Sequence, residues 1–278
     1  MFKDQSLGIA ASVFLALFVL YTVNSVFIIM KNGLKSRFTS LGVYGLIRIG
    51  GQIAGIGFAI NGFSNTSWFI AYIILGAEGF IMLIVGNLIF LINEHNNAWG
   101  SSYLTKKFIR GIKGKMGIDR LIHLLVIPAN VCIIYSGVLL SKDDLTAADA
   151  AKSKSLRTAG VIILLAQIVL ISAFTLHTFF VAKLRNPVMY CLLFIMPFIL
   201  MRGIYGILAV YVPSMNYFSY ETYLNGNKTL VTIFEYVLGT TMEFITALTL
   251  MNTHWIKRYT DPKVSASNSD ESLEKDVV

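Results

Sequence analysis

The sequence predicts an all-α integral membrane protein, a polytopic bundle of seven transmembrane helices with the N-terminus outside and the C-terminus in the cytosol. Three observations carry this. Of the 278 residues, 55% are hydrophobic and 14% charged, with a mean hydropathy of +0.68, whereas a soluble chain of this size carries about 25% charged residues. Apolar runs recur at residues 8–30, 40–62, 68–92, 118–140, 158–182, 188–212 and 229–254. Each is long enough to span roughly 30 Å of hydrocarbon at about 1.5 Å per residue. Positive charge collects in every second loop, as the positive-inside rule requires.

Each run has its own character. The first, 8–30, is too long for a signal peptide and lacks a clear small-residue cleavage site. The second, 40–62, holds Gly42, Gly45, Gly50, Gly51, Gly55 and Gly57, which suit it to close packing. The third, 68–92, carries Glu78. The fourth opens on Asp119, Arg120 and His123 at the membrane boundary and holds Pro128. The fifth carries His177, and the sixth Pro197 and Arg202. The seventh carries Glu235 and Glu243. The two prolines kink their helices or free backbone carbonyls. Membrane strands are set aside, because they run about 10 residues and alternate in polarity. Cys132 and Cys191 fall inside apolar runs as buried thiols, with no disulfide framework.

The loops orient the bundle. One set holds Lys31, Lys35 and Arg37; then Lys106, Lys107, Arg110, Lys113 and Lys115; then Lys183 and Arg185, with Lys257 and Arg258 after the last run. In the other set 63–67 is uncharged, 213–228 has one Glu and one Lys, and 141–157 is nearly balanced. The net charge of +8 is therefore read as membrane topology, with no nucleic-acid partner. The sequons at Asn65 and Asn227 fall on outer loops close to helix ends. The loop 93–117, with Trp99, Tyr103 and Phe108 among basic residues, reads either as an interfacial segment on anionic lipid or as an ordinary solvated loop. Residues 1–258 form the membrane domain, and 259–278 a disordered, Ser-rich acidic tail in which Ser269 and Ser272 are candidate phosphorylation sites.

The candidate site is a set of ionisable side chains at membrane depth. Glu78, Arg202 and Glu243 fall within roughly 3 Å of the midplane, Arg48 about 5 Å towards the cytosol, and Glu235 about 9 Å outward. Glu235, Gly239 and Glu243 share one slightly drifting helix stripe. Charge at this depth is costly and faces protein. Arg202 is expected to pair with Glu243, or else Glu235, with Tyr205 one turn on adding a hydroxyl. Two readings of the set stay open: a central polar cavity, or structural pairs such as Arg202 with Glu243 and Arg48 with Glu78. A weak echo between helices 1–3 and 5–7 (Arg48 with Arg202, Glu78 with Glu243) suggests parallel repeats joined by helix 4. The histidines at 95, 123, 177 and 254 show no metal-ligand spacing, so no metal or cofactor is expected.

The leading functional expectation is a protein that binds, moves or senses an amphipathic, lipid-like small molecule, with membrane lipids as its other partners. The sequence leaves the membrane it occupies and its oligomeric state open. One alternative is a membrane-embedded enzyme using Glu78, Glu235 or Glu243 as general acid on a lipophilic substrate such as an isoprenoid. Another is a seven-helix receptor. Against the receptor, Asn186-Pro-Val-Met-Tyr190 opens helix 6 instead of closing helix 7, and Asp119-Arg120-Leu121 sits on helix 4. The seventh run has no interior Lys for a retinal Schiff base. No Pro-Gln dipeptide marks a sugar-transporter repeat.

Nearly the whole chain resembles a group of fungal seven-helix membrane proteins recorded as a domain of unknown function. The stretches that carry the resemblance are Lys31-Asn-Gly-Leu, Leu46-Ile-Arg-Ile-Gly-Gly, Pro197-Phe-Ile-Leu-Met-Arg-Gly-Ile-Tyr205 and Glu243-Phe-Ile. The resemblance implies a fungal source, singles out Arg48, Arg202, Tyr205 and Glu243, and implies no activity. A remoter likeness, mainly of topology, is to the fungal lipid-translocating exporters, from whose acidic and aromatic pattern this chain departs around helices 5 and 6.

Overall fold

The computed structural model describes residues 2–106, 109–111, 114–140, 146–216 and 227–260. Its long helices are α1 (Gln5–Asn32), α2 (Phe38–Asn61), α3 (Thr66–Trp99), α4 (Ile118–Leu140), α5 (Ala147–Phe180), α6 (Pro187–Tyr211) and α7, residues 228–260. All seven are long and apolar enough to cross a membrane, the build of a multi-pass integral membrane protein.

Five of the seven long helices start where a side chain satisfies one of their first N–H groups. Asp4, Asn65, Thr146, Asn186 and Asn227 accept hydrogen bonds from the backbone N–H of Leu7, Ser67, Asp149, Met189 and Leu230. Such caps are worth about 1 kcal/mol each. Both sequon asparagines are thus N-caps. Two helices outrun the apolar runs that announced them. α3 continues past 92 to Trp99, and α5 starts at Ala147, well before 158, because polar but helix-compatible residues extend each one. α3 stops at Gly100, whose left-handed backbone (φ 71°) returns its N–H to the Asn96 carbonyl.

α7 changes pitch in its first half. Lys228–Phe234 is α-helical, Glu235–Thr241 is π-helical, and Met242–Thr260 is α-helical again. The wider π turn re-aims the side chains it carries, and such turns are frequent at functional sites.

Aromatic residues from the long loop fold back on protein. His95 packs against the rings of Trp99 and Tyr103 at centroid distances of 5.1 and 4.5 Å. Tyr103 opens a short 3-10 turn, Tyr103–Thr105, and further on β1 (Ile109–Gly111) pairs antiparallel with β2 (Gly114–Met116), Ile109 opposite Met116. Phe108 of the expected interfacial segment lies outside the described residues, as do residues 217–226 and the tail 261–278 with Ser269 and Ser272. Cys132 and Cys191 are free thiols.

α3 is the central helix and packs against α2, α4, α5, α6 and α7. Half or more of the apolar stretches of α2, α3 and α7 is buried (56%, 50% and 50%), against 28% for α1 and α4. That places the charged residues of α2, α3 and α7 towards protein. Close approach of α2 to α1 depends on Gly45, where an added Cβ would lie 2.4 Å from Thr22 Oγ1. The apolar core falls into two clusters. One includes Leu7, Ala11, Phe58, Phe69 and Tyr236; the other includes Phe18, Tyr44, Phe80, Leu88 and Leu250. Arg48 and Glu243 lie between them along the chain of their helices. The polar residues therefore sit where the two clusters meet.

Candidate functional site

Three helices bring charge to one point. Arg202 of α6 places Nε 2.6 Å from Glu243 Oε1 of α7, and Arg48 of α2 places Nε 3.5 Å from Glu243 Oε2. Arg48 also donates from Nη2 to Thr240 Oγ1 at 3.0 Å. All three charged residues are buried. Aromatic faces take up part of the cationic charge: Arg48 lies 5.3 Å from the Phe18 ring and Arg202 4.5 Å from the Phe80 ring. One carboxylate thus serves two guanidiniums, an arrangement tolerable at this depth only because each charge is partnered.

Glu235, two turns earlier, faces elsewhere. Its Oε2 accepts a 3.0 Å hydrogen bond from the Tyr205 hydroxyl of α6. Next to it on the π turn, Tyr236 donates to Gln52 Oε1 of α2 at 2.9 Å. The two partners of the Tyr205–Glu235 bond line different cavities. One, about 30 Å³, lies at the N-terminal end of the bundle and is lined by Asp4, Phe58, Tyr72, Asn216, Lys228 and Glu235 among others. The second, about 40 Å³, lies among α3, α4, α5 and α6 and is lined by Phe80, Ile133, Arg157, Arg202, Tyr205 and Ala209 among others. Both exceed the roughly 10–15 Å³ that a single water needs.

The structure therefore brings Arg48, Arg202, Tyr205, Glu235 and Glu243 together and sets Glu78 apart. Glu78 Oε1 accepts from Asn130 Nδ2 of α4 at 2.5 Å. The pairing of Arg48 with Glu78 does not form. The reason lies in the next residue: Gly79 faces Arg48, whose Cδ would lie 2.5 Å from a Cβ added there. Successive helix residues point about 100° apart, so Glu78 is turned to α4. The echo between the helix triplets accordingly does not extend to their ion pairs.

Arg157 is the residue that the sequence reading missed. It is buried in α5, and it donates to Asn216 Oδ1 at 3.0 Å and to the Ala209 carbonyl. Placing the fifth run at 158 left it in a loop. Its one signal was the helix-compatible stretch Ala147-Ala-Asp-Ala-Ala before it. Gln52, Thr240 and Tyr236 were missed too, since uncharged polar residues in apolar runs give no depth cost to notice.

A separate polar cluster closes the opposite end. Arg37 Nη1 lies 2.6 Å from Glu94 Oε1, and Asn186 Nδ2 donates to Glu94 Oε2 at 2.8 Å. Asn186, the first residue of the NPxxY-like stretch, thus caps α6 and ties it to α3. Thr178 Oγ1 meets both His95 Nε2 at 2.8 Å and the Tyr103 hydroxyl at 2.9 Å, while His95 Nδ1 meets Ser102 Oγ at 2.9 Å. Burial pushes the Tyr103 phenol up, and its bond to Thr178 offsets part of that. His177 is exposed, with its ring edge-on to Tyr103 at 5.9 Å.

No protein-family model, curated protein or solved structure matches the chain.

Proposed function

We propose that this bundle binds an amphipathic small molecule beside its buried charges and moves or senses it across the membrane. The observation that carries the reading is that the charged cluster lines space. Arg202, braced by Glu243, lines one cavity, and Glu235, bonded to Tyr205, lines the other. Ion pairs serving only to lock helices have no need of cavities on either side. Buried ionisable residues that border a cavity mark ligand and ion routes in membrane proteins. Acid catalysis draws less support, because Glu243 is neutralised by two arginines and Glu78 is bonded to Asn130.

The orientation proposed is N-terminus outside and C-terminus cytosolic. Lys31, Lys35, Arg37, Lys106, Lys183 and Arg185 all lie at one end of the bundle, the end that the positive-inside rule assigns to the cytosol. A cysteine placed beyond Thr260 should stay unlabelled by an impermeant maleimide in intact cells. Labelling from outside reverses the topology.

Binding is tested with protein reconstituted in lipid vesicles and a series of fluorescent amphiphiles of differing head group. At least one should bind saturably above protein-free vesicles, with weaker binding in Tyr205→Phe. If none saturates, the reading fails.

A further inference from the structure

Resting on that reading and deepening it, we propose that the cavity among α3, α4, α5 and α6 receives the carboxylate of an amphipathic monocarboxylate, held by Arg157 and Arg202. The polar and apolar parts of its lining are separate. Two arginines supply N–H donors, and Ile73, Ala77, Phe80, Ile133, Val161 and Leu164 supply an apolar wall. The arginines come from different helices, Arg157 from α5 and Arg202 from α6. Both are anchored before any ligand arrives. Arg157 is held by Asn216 and the Ala209 carbonyl, and Arg202 by Glu243. Side chains already fixed by other bonds lose little further freedom on binding, which is the benefit of preorganisation.

The chemistry of the walls selects the occupant. A cation would enter between two guanidiniums and be repelled by both. A neutral head could accept hydrogen bonds, but bonds to an ionised acceptor are roughly twice as strong. The guanidinium is a planar fork of five donors that fits a carboxylate edge. A carboxylate sets two coplanar oxygens against that fork, with the tail leaving from the same carbon. The tail lies against the apolar wall where Ile73 and Ala77 of α3 face Ile133 of α4. Phe80 closes the wall, with its ring 4.5 Å from the Arg202 guanidinium.

The test compares octanoate, octylammonium and 1-octanol, which share a tail and differ in head. The full chain in lipid nanodiscs is heated with each, and unfolding is followed by tryptophan fluorescence. Octanoate should raise the midpoint in a saturable way, and the other two should not. Arg157→Gln should raise the half-saturating octanoate concentration about tenfold, the loss of one charge-assisted bond. Ala77→Leu leaves every polar group in place and fills the cavity, so it should abolish the octanoate shift even if Arg157→Gln does not fold. Equal stabilisation by 1-octanol or octylammonium overturns the carboxylate assignment and leaves amphiphile binding standing. An octanoate shift that survives Ala77→Leu overturns the location. No shift with any of the three overturns the site assignment, and amphiphile binding then stands or falls with the vesicle titration.

Discussion

Arg202 of α6 and Glu243 of α7 form a buried ion pair, 2.6 Å from Nε to Oε1, with side chains 9% and 1% exposed. α6 and α7 pack together, so the pair fixes their register at the level of the candidate site. Arg48 adds a second, longer contact to the same carboxylate, 3.5 Å from the other oxygen. Glu243 is thus the shared member, and the three positions are not equivalent. Glu243→Gln strands two buried guanidiniums and should cost the most, about 3–5 kcal/mol. Arg202→Gln should cost less, and Arg48→Gln least. Denaturant unfolding of the three variants in a common detergent gives the order; an Arg48→Gln cost equal to that of Glu243→Gln would sink it.

A charge swap of Arg202 and Glu243 should not restore stability. In a simple two-residue pair, Arg202→Glu with Glu243→Arg would re-form the bond. Here the swap sets the new arginine at 243 opposite Arg48, in place of the carboxylate that Arg48 now faces. Adding Arg48→Gln to the swap should recover the stability lost to that repulsion, about 1 kcal/mol or more. If the two-residue swap alone regains wild-type stability, Arg48 is not part of the unit.

Tyr205→Phe should connect the two cavities. The hydroxyl it removes is the donor to Glu235 Oε2 at 3.0 Å, and Tyr205 and Glu235 line opposite sides of that bond. The stability cost should be about 1–3 kcal/mol, that of orphaning one buried partner. The sharper readout is access. A cysteine at Ala209, on the wall of the second cavity, should react faster with a water-soluble thiol reagent once Tyr205 is Phe. Unchanged reactivity would mean that the bond is not the barrier.

The sequence carried the long helices well because crossing a bilayer demands about 20 apolar residues, and nothing else in the chain makes that demand. It also carried the Arg202–Glu243 pair, since both fell at midplane depth on consecutive helices. It misjudged what depth does not determine. Arg48 and Glu78 lie at compatible depths, yet Gly79 takes the Arg48 side of α3 and leaves Glu78 facing Asn130. Arg157 was missed because α5 outlasts its apolar run, so a boundary drawn from hydropathy cuts the helix short of its buried charge. The π turn at Glu235–Thr241 left no mark in residue pattern; the regular i, i+4, i+8 stripe treats Glu235 and Glu243 as one face, whereas they bind different partners.

Gly79 offers the most specific test of how Arg48 reaches Glu243. An added methyl at 79 would lie 2.5 Å from Arg48 Cδ and 3.3 Å from its Cγ, so the arginine stem must move. At Gly76, one turn away, the nearest contact would be Arg48 Nη1 at an ordinary 3.8 Å. Replacing glycine by alanine inside a helix gains about 1 kcal/mol from backbone propensity, and overpacking a tight contact costs about 1–3 kcal/mol. Gly76→Ala should therefore be neutral or stabilising, and Gly79→Ala less favourable, with a net cost of about 0–2 kcal/mol once the two effects are combined. The cause can be isolated by repeating Gly79→Ala in an Arg48→Ala background, where the stem is gone. There the same substitution should become neutral or stabilising, a coupling of at least about 1 kcal/mol between positions 48 and 79. If the costs of the two substitutions simply add, Arg48 does not depend on the space at Gly79 to reach Glu243.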